Sequence, residues 1–185
     1  NAVTSCGAKP IFADVDLDTF NISIDSIKKL ITKKTKAIIP VHYAGQSCDM
    51  DKINSISKKK NLKIIEDCAH ALGSTFKNNK CGNLGNVGCF SFYPTKIITT
   101  GEGGMVTCNN PKLFKKIKIL KSQAMNISSN EREKLATWKY DVTDLGYNYR
   151  LDEIRSSLGF SQLFRVDQIN KMRIKLASIY TNSLS

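Results

Sequence analysis

No C-x-x-C pair, no apolar run of membrane-spanning length and no low-complexity tract occurs in this chain of 185 residues. The six cysteines, Cys6, Cys48, Cys68, Cys81, Cys89 and Cys108, therefore offer neither a zinc-site spacing nor a thioredoxin-like pair, and no metal is expected. Several lie inside apolar stretches, where a free thiol acts as a small hydrophobe. Such cysteine usage fits a reduced, cytoplasmic compartment. A bilayer crossing takes roughly 20 consecutive apolar residues; none is present, and no membrane partner is expected. Residues 1–10 have neither an initiator Met nor the charged-then-apolar pattern of a signal peptide. Residues 1–185 read as a single partial domain, cut at both ends, long enough to bury a core but not to divide in two.

Acidic residues are also scarce: 16 against 28 Lys and Arg, a formal charge of +12. A basic patch binds phosphates through counterion release. Here, however, the lysines alternate with apolar residues at helical spacing, as at Lys28, Lys29, Lys112, Lys115 and Lys116, the layout of solvated outer faces. No base-stacking aromatic cluster and no Cys/His finger spacing accompanies them, so nucleic acid is not an expected partner.

What is present is an alternation of strand with helix. Residues 10–15, with Ile11, Phe12 and Val15, read as a short strand. Ser23 or Asp25 caps a helix whose Ile24, Ile27, Leu30 and Ile31 share a face. Residues 36–41 hold a continuous apolar run suited to a strand buried on both sides. Asp49 caps the next helix, with Met50, Ile53 and Ile56 inward, and residues 62–65 form another strand ending at Glu66-Asp67. This βαβαβ order predicts an α/β fold with a parallel sheet and helices on its faces. Further on, Lys77-Asn78-Asn79-Lys80 reads as a hairpin tip, and residues 89–93 and 105–108 as strands. Asn110-Pro111 opens a helix with proline at its first position and a buried stripe of Leu113, Phe114, Ile117 and Leu120. Residues 122–140 read as a polar, irregular excursion. Two helices close the chain, one over about 152–164 and one carrying Ile169, Met172, Leu176 and Ile179 on one face.

In an open parallel sheet, ligands bind beyond the carboxyl ends of the strands. Asp67 stands at one such end; Ser91 and Lys96 stand on and just past another. Ser91 alternates with Phe90 and Phe92, so a hydroxyl faces a site while the rings pack. An amine, a carboxylate and a hydroxyl gathered there suit pyridoxal 5'-phosphate. The amine binds its aldehyde, the acid keeps its ring nitrogen protonated, and small donors hold its phosphate. Each residue also has a plainer reading: Lys96 as a surface cation, Asp67 as a helix cap, His70 as a structural imidazole, Ser91 as strand filler. Gly82-x-x-Gly85-x-x-Gly88 is not a dinucleotide fingerprint, and Gly101-Glu102-Gly103-Gly104 lacks the Gly-Lys-Ser/Thr ending of a P-loop.

Ile65-Glu66-Asp67-Cys68-Ala69-His70-Ala71-Leu72-Gly73, then Phe90-Ser91-Phe92-Tyr93-Pro94-Thr95-Lys96 and Thr99-Thr100-Gly101-Glu102-Gly103-Gly104, closely resemble the sugar-aminotransferase branch of fold-type I pyridoxal-phosphate enzymes. Leu145-Gly146-Tyr147-Asn148-Tyr149-Arg150-Leu151 resembles that family's later signature, and Cys6-Gly7-Ala8-Lys9-Pro10 and Pro40-Val41-His42-Tyr43-Ala44-Gly45 resemble earlier blocks. The resemblance covers nearly the whole chain. It implies a three-layer α/β/α large domain with a mostly parallel sheet, and from about residue 165 a helix leading toward a small domain. It implies Lys96 as the residue that holds the cofactor and as general base for the 1,3-proton shift. Asp67 would pair with the ring nitrogen, His70 would lie against the ring or near its phenolic oxygen, and Ser91 would bind the phosphate. Asn148 would reach the phosphate across a homodimer interface. Arg150 would brace that interface or touch substrate, and His42 and Tyr43 would line the site. The implied reaction moves an amino group from glutamate to the ketone of a nucleotide-linked keto-deoxysugar, for polysaccharide or glycan biosynthesis. Trp138-Lys139-Tyr140-Asp141 is most like enzymes acting on 4-keto sugars. Some relatives carry His in place of the lysine and dehydrate the sugar; Lys96 favours transamination. The rival reading is a non-catalytic basic binding module on the same fold, which intact Asp67, Ser91 and Lys96 disfavour. By itself this stretch is expected to bind cofactor poorly.

Overall fold

The computed structural model describes residues 1–184. In chain order its elements are α1 (Ala2–Ser5), α2 (Ile24–Leu30), β1 (Ala37–Ile38), a 3-10 turn (Tyr43–Gly45), α3 (Met50–Lys60), β2 (Lys63–Asp67), β3 (Thr75–Phe76), β4 (Asn79–Lys80), β5 (Val87–Ser91), β6 (Gly104–Thr107), α4 (Pro111–Leu120), α5 (Ser129–Lys134), α6 (Glu153–Leu163) and α7 (Val166–Leu184). The main sheet runs β1-β2-β5-β6. Its first three strands are parallel and β6 is antiparallel at one edge. This is the α/β fold with a mostly parallel sheet that the strand–helix alternation predicts.

Register decides what the two faces carry. Ile65 pairs with Val87, Glu66 with Gly88 and Asp67 with Cys89. Paired residues share a face, and successive residues alternate. One face thus bears Asp67, Cys89 and Ser91, and the other bears Ile64, Glu66, Gly88 and Phe90. Val41 bridges to Asp67, which puts His42 on the Glu66 side.

The Glu66 face is the covered one. Ile27 of α2, Met50 and Ile53 of α3, and Ile38, Cys48, Leu62 and Ile64 form its core. α3 forms because the Asp49 carboxylate accepts from the Lys52 N–H while Met50, Ile53 and Ser57 fall on one side; Asn61, left-handed at φ 51°, ends it. Ile53 is wholly buried. Ile53→Ala is expected to cost about 2–5 kcal/mol, read as a lower thermal midpoint. For α2 the capping side chain is Ser23, accepting from Ser26 N–H, with Asp25 in the first turn. Lys77 and Asn78, both at positive φ, make the two-residue turn between β3 and β4.

Five expectations change, the first at residues 36–41, which give only the two-residue β1, with Ile39 and Val41 part-exposed at 39% and 41%, and not a strand buried on both sides. Residues 10–15 form no strand: Val15 makes one bridge to Ile22, and Phe12 is 89% exposed. α4 starts as expected, with Asn110 accepting from two N–H groups and Pro111 at the first position, yet none of its residues is fully buried and Phe114 is 55% exposed. Met172, Leu176 and Ile179 of α7 are also more than half exposed. Periodicity reports that a helix has an apolar side, not what covers it. Finally, residues 122–140 contain α5, started by a capping box in which Ser128 and Glu131 each bond the other's backbone N–H. All six cysteines are free, and burial pushes the Cys48 thiol up to about 11. No helix among the described residues is long and apolar enough to cross a membrane.

Candidate active site

β2 and β5 end side by side, and Asp67 and Ser91 stand at those ends. Asp67 closes β2 and Ser91 closes β5, on the same face two residues beyond Asp67's partner Cys89. The edge is tied together by the backbone, with Cys68 N–H donating to Cys89 O at 2.8 Å. Lys96 follows in the loop past β5, where its N–H donates to Tyr93 O at 3.0 Å. All three side chains are half-buried. Asp67 Oδ1 accepts from Ala69 N–H at 3.0 Å, and Oδ2 has no partner among the described residues. Ser91 Oγ accepts from Tyr93 N–H at 3.3 Å, which leaves its proton free to donate. The Lys96 amine likewise has no partner among the described residues.

Directly behind Asp67, on the opposite face, Glu66 is completely buried. Its Oε2 accepts from His42 Nε2 at 2.9 Å and Gly82 N–H at 2.8 Å; its Oε1 accepts from Leu84 N–H at 2.7 Å and Gly85 N–H at 2.6 Å. Burial pushes the Glu66 carboxyl up, but the His42 bond and the backbone N–H groups of Gly82, Gly85 and Leu84 outweigh it and hold it below the usual carboxylate range. Cys48 N–H donates to His42 Nδ1 at 3.1 Å, so the ring's proton sits on Nε2 and points at Glu66. This corrects the expectation for His42. The imidazole is fully buried with both nitrogens used, so it braces the strand ends instead of lining an opening. Gly85 belongs to the same arrangement, because a Cβ there would come within 2.7 Å of Ile64.

His70 and Tyr43 face each other near the end of β2. Both are exposed, with ring centroids 6.1 Å apart edge to face. Tyr43 N–H donates to the Oδ1 of buried Asn21, which fixes the 3-10 turn, and the turn's Gly45 (φ 87°) lies against the His70 carbonyl. Asn148 and Arg150 lie elsewhere. Arg150 Nε donates to Asn148 Oδ1 at 2.8 Å, and the segment is paired to the end of α4 through the Asn148–Ser122 bridge. No hydrogen bond or ring contact joins them to Asp67, His70, Ser91 or Lys96 among the described residues. Two shallow hollows also lie apart from the trio. One of about 270 Å³ is lined by Lys112, Lys116 and Asp144, and one of about 370 Å³ by Ile127, Trp138 and Tyr140. Asp67 and Ser91 lie at the carboxyl ends of the two central strands, and neither lines a hollow. Glu66 is the residue the expected site lacked. Its signal was available in the alternation, since an acid next to Asp67 in a strand must face the other way.

Residues 1–185 match the DegT/DnrJ/EryC1/StrS aminotransferase family. The chain is 43% identical over its full length to GDP-perosamine synthase from Caulobacter vibrioides, of which it covers 47%. Among solved structures, a sugar aminotransferase from Streptococcus pneumoniae in its PMP form superposes with a TM-score of 0.91 at 32% identity, over 99% of this chain and 51% of that one. An aminotransferase of pseudoaminic acid biosynthesis from Helicobacter pylori gives a TM-score of 0.82 at 36% identity, over 89% and 42%. The chain thus spans about half the length of these relatives. It belongs to the DegT/DnrJ/EryC1/StrS aminotransferase family.

Proposed function

We propose that the whole protein is a pyridoxal-phosphate-dependent aminotransferase that converts the ketone of a nucleotide-linked keto-deoxysugar, a 4-keto sugar, to an amine, with glutamate as donor. The carrying observation is the placement of Asp67 and Ser91 on one face of adjacent strand ends, with Lys96 in the loop that follows. The similarity to a GDP-perosamine synthase supports the nucleotide-sugar substrate.

The residues fit the cofactor because each keeps bonding capacity of the required kind. When bound, pyridoxal phosphate supplies an aldehyde carbon for a primary amine and a protonated ring that accepts the electron pair of a broken C–H bond. Lys96 Nζ would be the amine that holds it and, when free, the base that carries a proton between two carbons. Asp67 Oδ2 would accept the ring N–H and keep that nitrogen charged. Ser91 Oγ donates to the phosphate. His70, in edge-to-face contact with Tyr43, would lie beside the ring, and Tyr43 would face substrate. Asn148 reaches the phosphate of a second copy across a homodimer interface, and Arg150, bonded to it, braces that contact. The enzyme works in the cytoplasm on sugars bound for polysaccharides or glycans.

The test is amination of a panel of nucleotide keto-sugars with glutamate, followed by product mass and 2-oxoglutarate release. Product from a 4-keto substrate is expected; amination of simple keto acids alone would refute the substrate class. Asp67→Asn, which keeps shape and removes charge, is expected to lower kcat by about 10²–10³-fold with the thermal midpoint retained.

A further inference from the structure

The loop carrying Lys96 leaves β5 at Ser91 and rejoins the sheet at Gly104. Its base is closed from within. Phe92 O accepts from Thr100 N–H at 2.9 Å and Thr99 Oγ1 at 3.0 Å, and Phe92 N–H donates to Gly103 O at 2.9 Å. From outside it is gripped by Gln162 of α6. Gln162 Oε1 accepts from Thr99 N–H at 3.1 Å, and Nε2 donates to Thr99 O at 2.6 Å. A further bond from Nε2 to Leu158 O, 3.1 Å, sets the direction of the side chain. Gly159, one turn earlier on the same helix face, is buried, and a Cβ there would stand 2.7 Å from Thr100 Cγ2. The helix therefore approaches the loop closely enough for a glutamine to reach it.

We infer that Gln162 is a positioning residue for Lys96. It acts through Thr99, three residues beyond the lysine, and the inference rests on the proposed role of Lys96. An amide suits the task because its paired acceptor and donor match the N–H and C=O of one backbone residue. The lysine side chain is long and flexible, so its amine is aimed by the backbone beneath it. A shift of about 1 Å in a reacting group costs up to about 10²-fold in rate.

The test uses the whole protein with Gln162→Met, which keeps length and apolar packing and removes both bonds. Expected are a fall in kcat of about 10- to 100-fold, a KM for the sugar within about threefold of the original, and a retained thermal midpoint. The pH midpoint of the absorbance of lysine-bound cofactor shifts. In cofactor-free protein the Thr99 amide exchanges its hydrogen at least about tenfold faster. Unchanged exchange, pH midpoint and kcat in folded Gln162→Met overturn the inference. If that variant does not fold, Gln162→Glu, which keeps the acceptor for Thr99 N–H and sets an oxygen against Thr99 O, is expected to give smaller changes of the same sign. Original values in it overturn the inference equally. Cofactor that becomes covalently fixed to the protein by borohydride in Lys96→Ala would instead refute the role of Lys96.

Discussion

Lys96→Ala in the whole protein is expected to abolish amination, with kcat lowered by at least about 10⁴-fold. Two functions are lost together. The protein no longer holds the cofactor covalently, and no amine remains to carry the proton between the two carbons. Lys96→Arg should be nearly as damaging, because a guanidinium stays protonated and neither attacks an aldehyde nor accepts a proton. Folding should be intact, since Lys96 is half-buried in a loop and its side chain makes no hydrogen bond among the described residues. A small primary amine in the buffer should restore part of the proton transfer in Lys96→Ala. Steady-state assays beside thermal melts check this. Activity above about one-hundredth of the original in Lys96→Ala would mean that the chemistry runs elsewhere.

The second large effect is on stability. Glu66→Gln keeps the volume but sets an NH₂ group against N–H donors that all point at a carboxylate. Removing one member of a buried charged network typically costs about 3–5 kcal/mol, a drop on the order of 10 °C in thermal midpoint for a protein of this size. The pH dependence follows from the depressed carboxyl. A carboxyl whose folded pKa lies below its unfolded value stabilises the fold above the unfolded value, about 4.3, and loses that contribution as pH falls through the folded one. Thermal midpoints measured from pH 7 to pH 3 should therefore fall for the unsubstituted protein, and the gap to Glu66→Gln should narrow below about pH 4. A gap that stays constant would show that ionisation of Glu66 does not supply the stability. Because Glu66 precedes Asp67, the same substitution should also slow catalysis by loosening the strand end.

Local signals carried most of the site. Asp49 before an apolar helix face, a hairpin tip at Lys77-Asn78, and Asp67 and Ser91 on strand ends follow from short-range chemistry, and the structure has Lys96 in the loop after β5. What escaped depends on partners distant in sequence. His42 follows an apolar strand and was expected at an opening. Its position is set by Glu66, 24 residues on, and alternation from Ile38 and Pro40 would have turned it inward. Ile11 and Phe12 have the composition of a strand but no strand pairs with them among the described residues. The Ser128–Glu131 box was visible in the sequence, yet the polarity around it concealed a helix of six residues. Gln162 gave no local sign, since its meaning lies in a loop 63 residues earlier.

Reduction with borohydride in the presence of pyridoxal phosphate, followed by peptide mapping of the whole protein, tests the central claim most directly. A single modified peptide, with the added mass on Lys96, is the predicted result. Modification of a different lysine, or none at all, would contradict it.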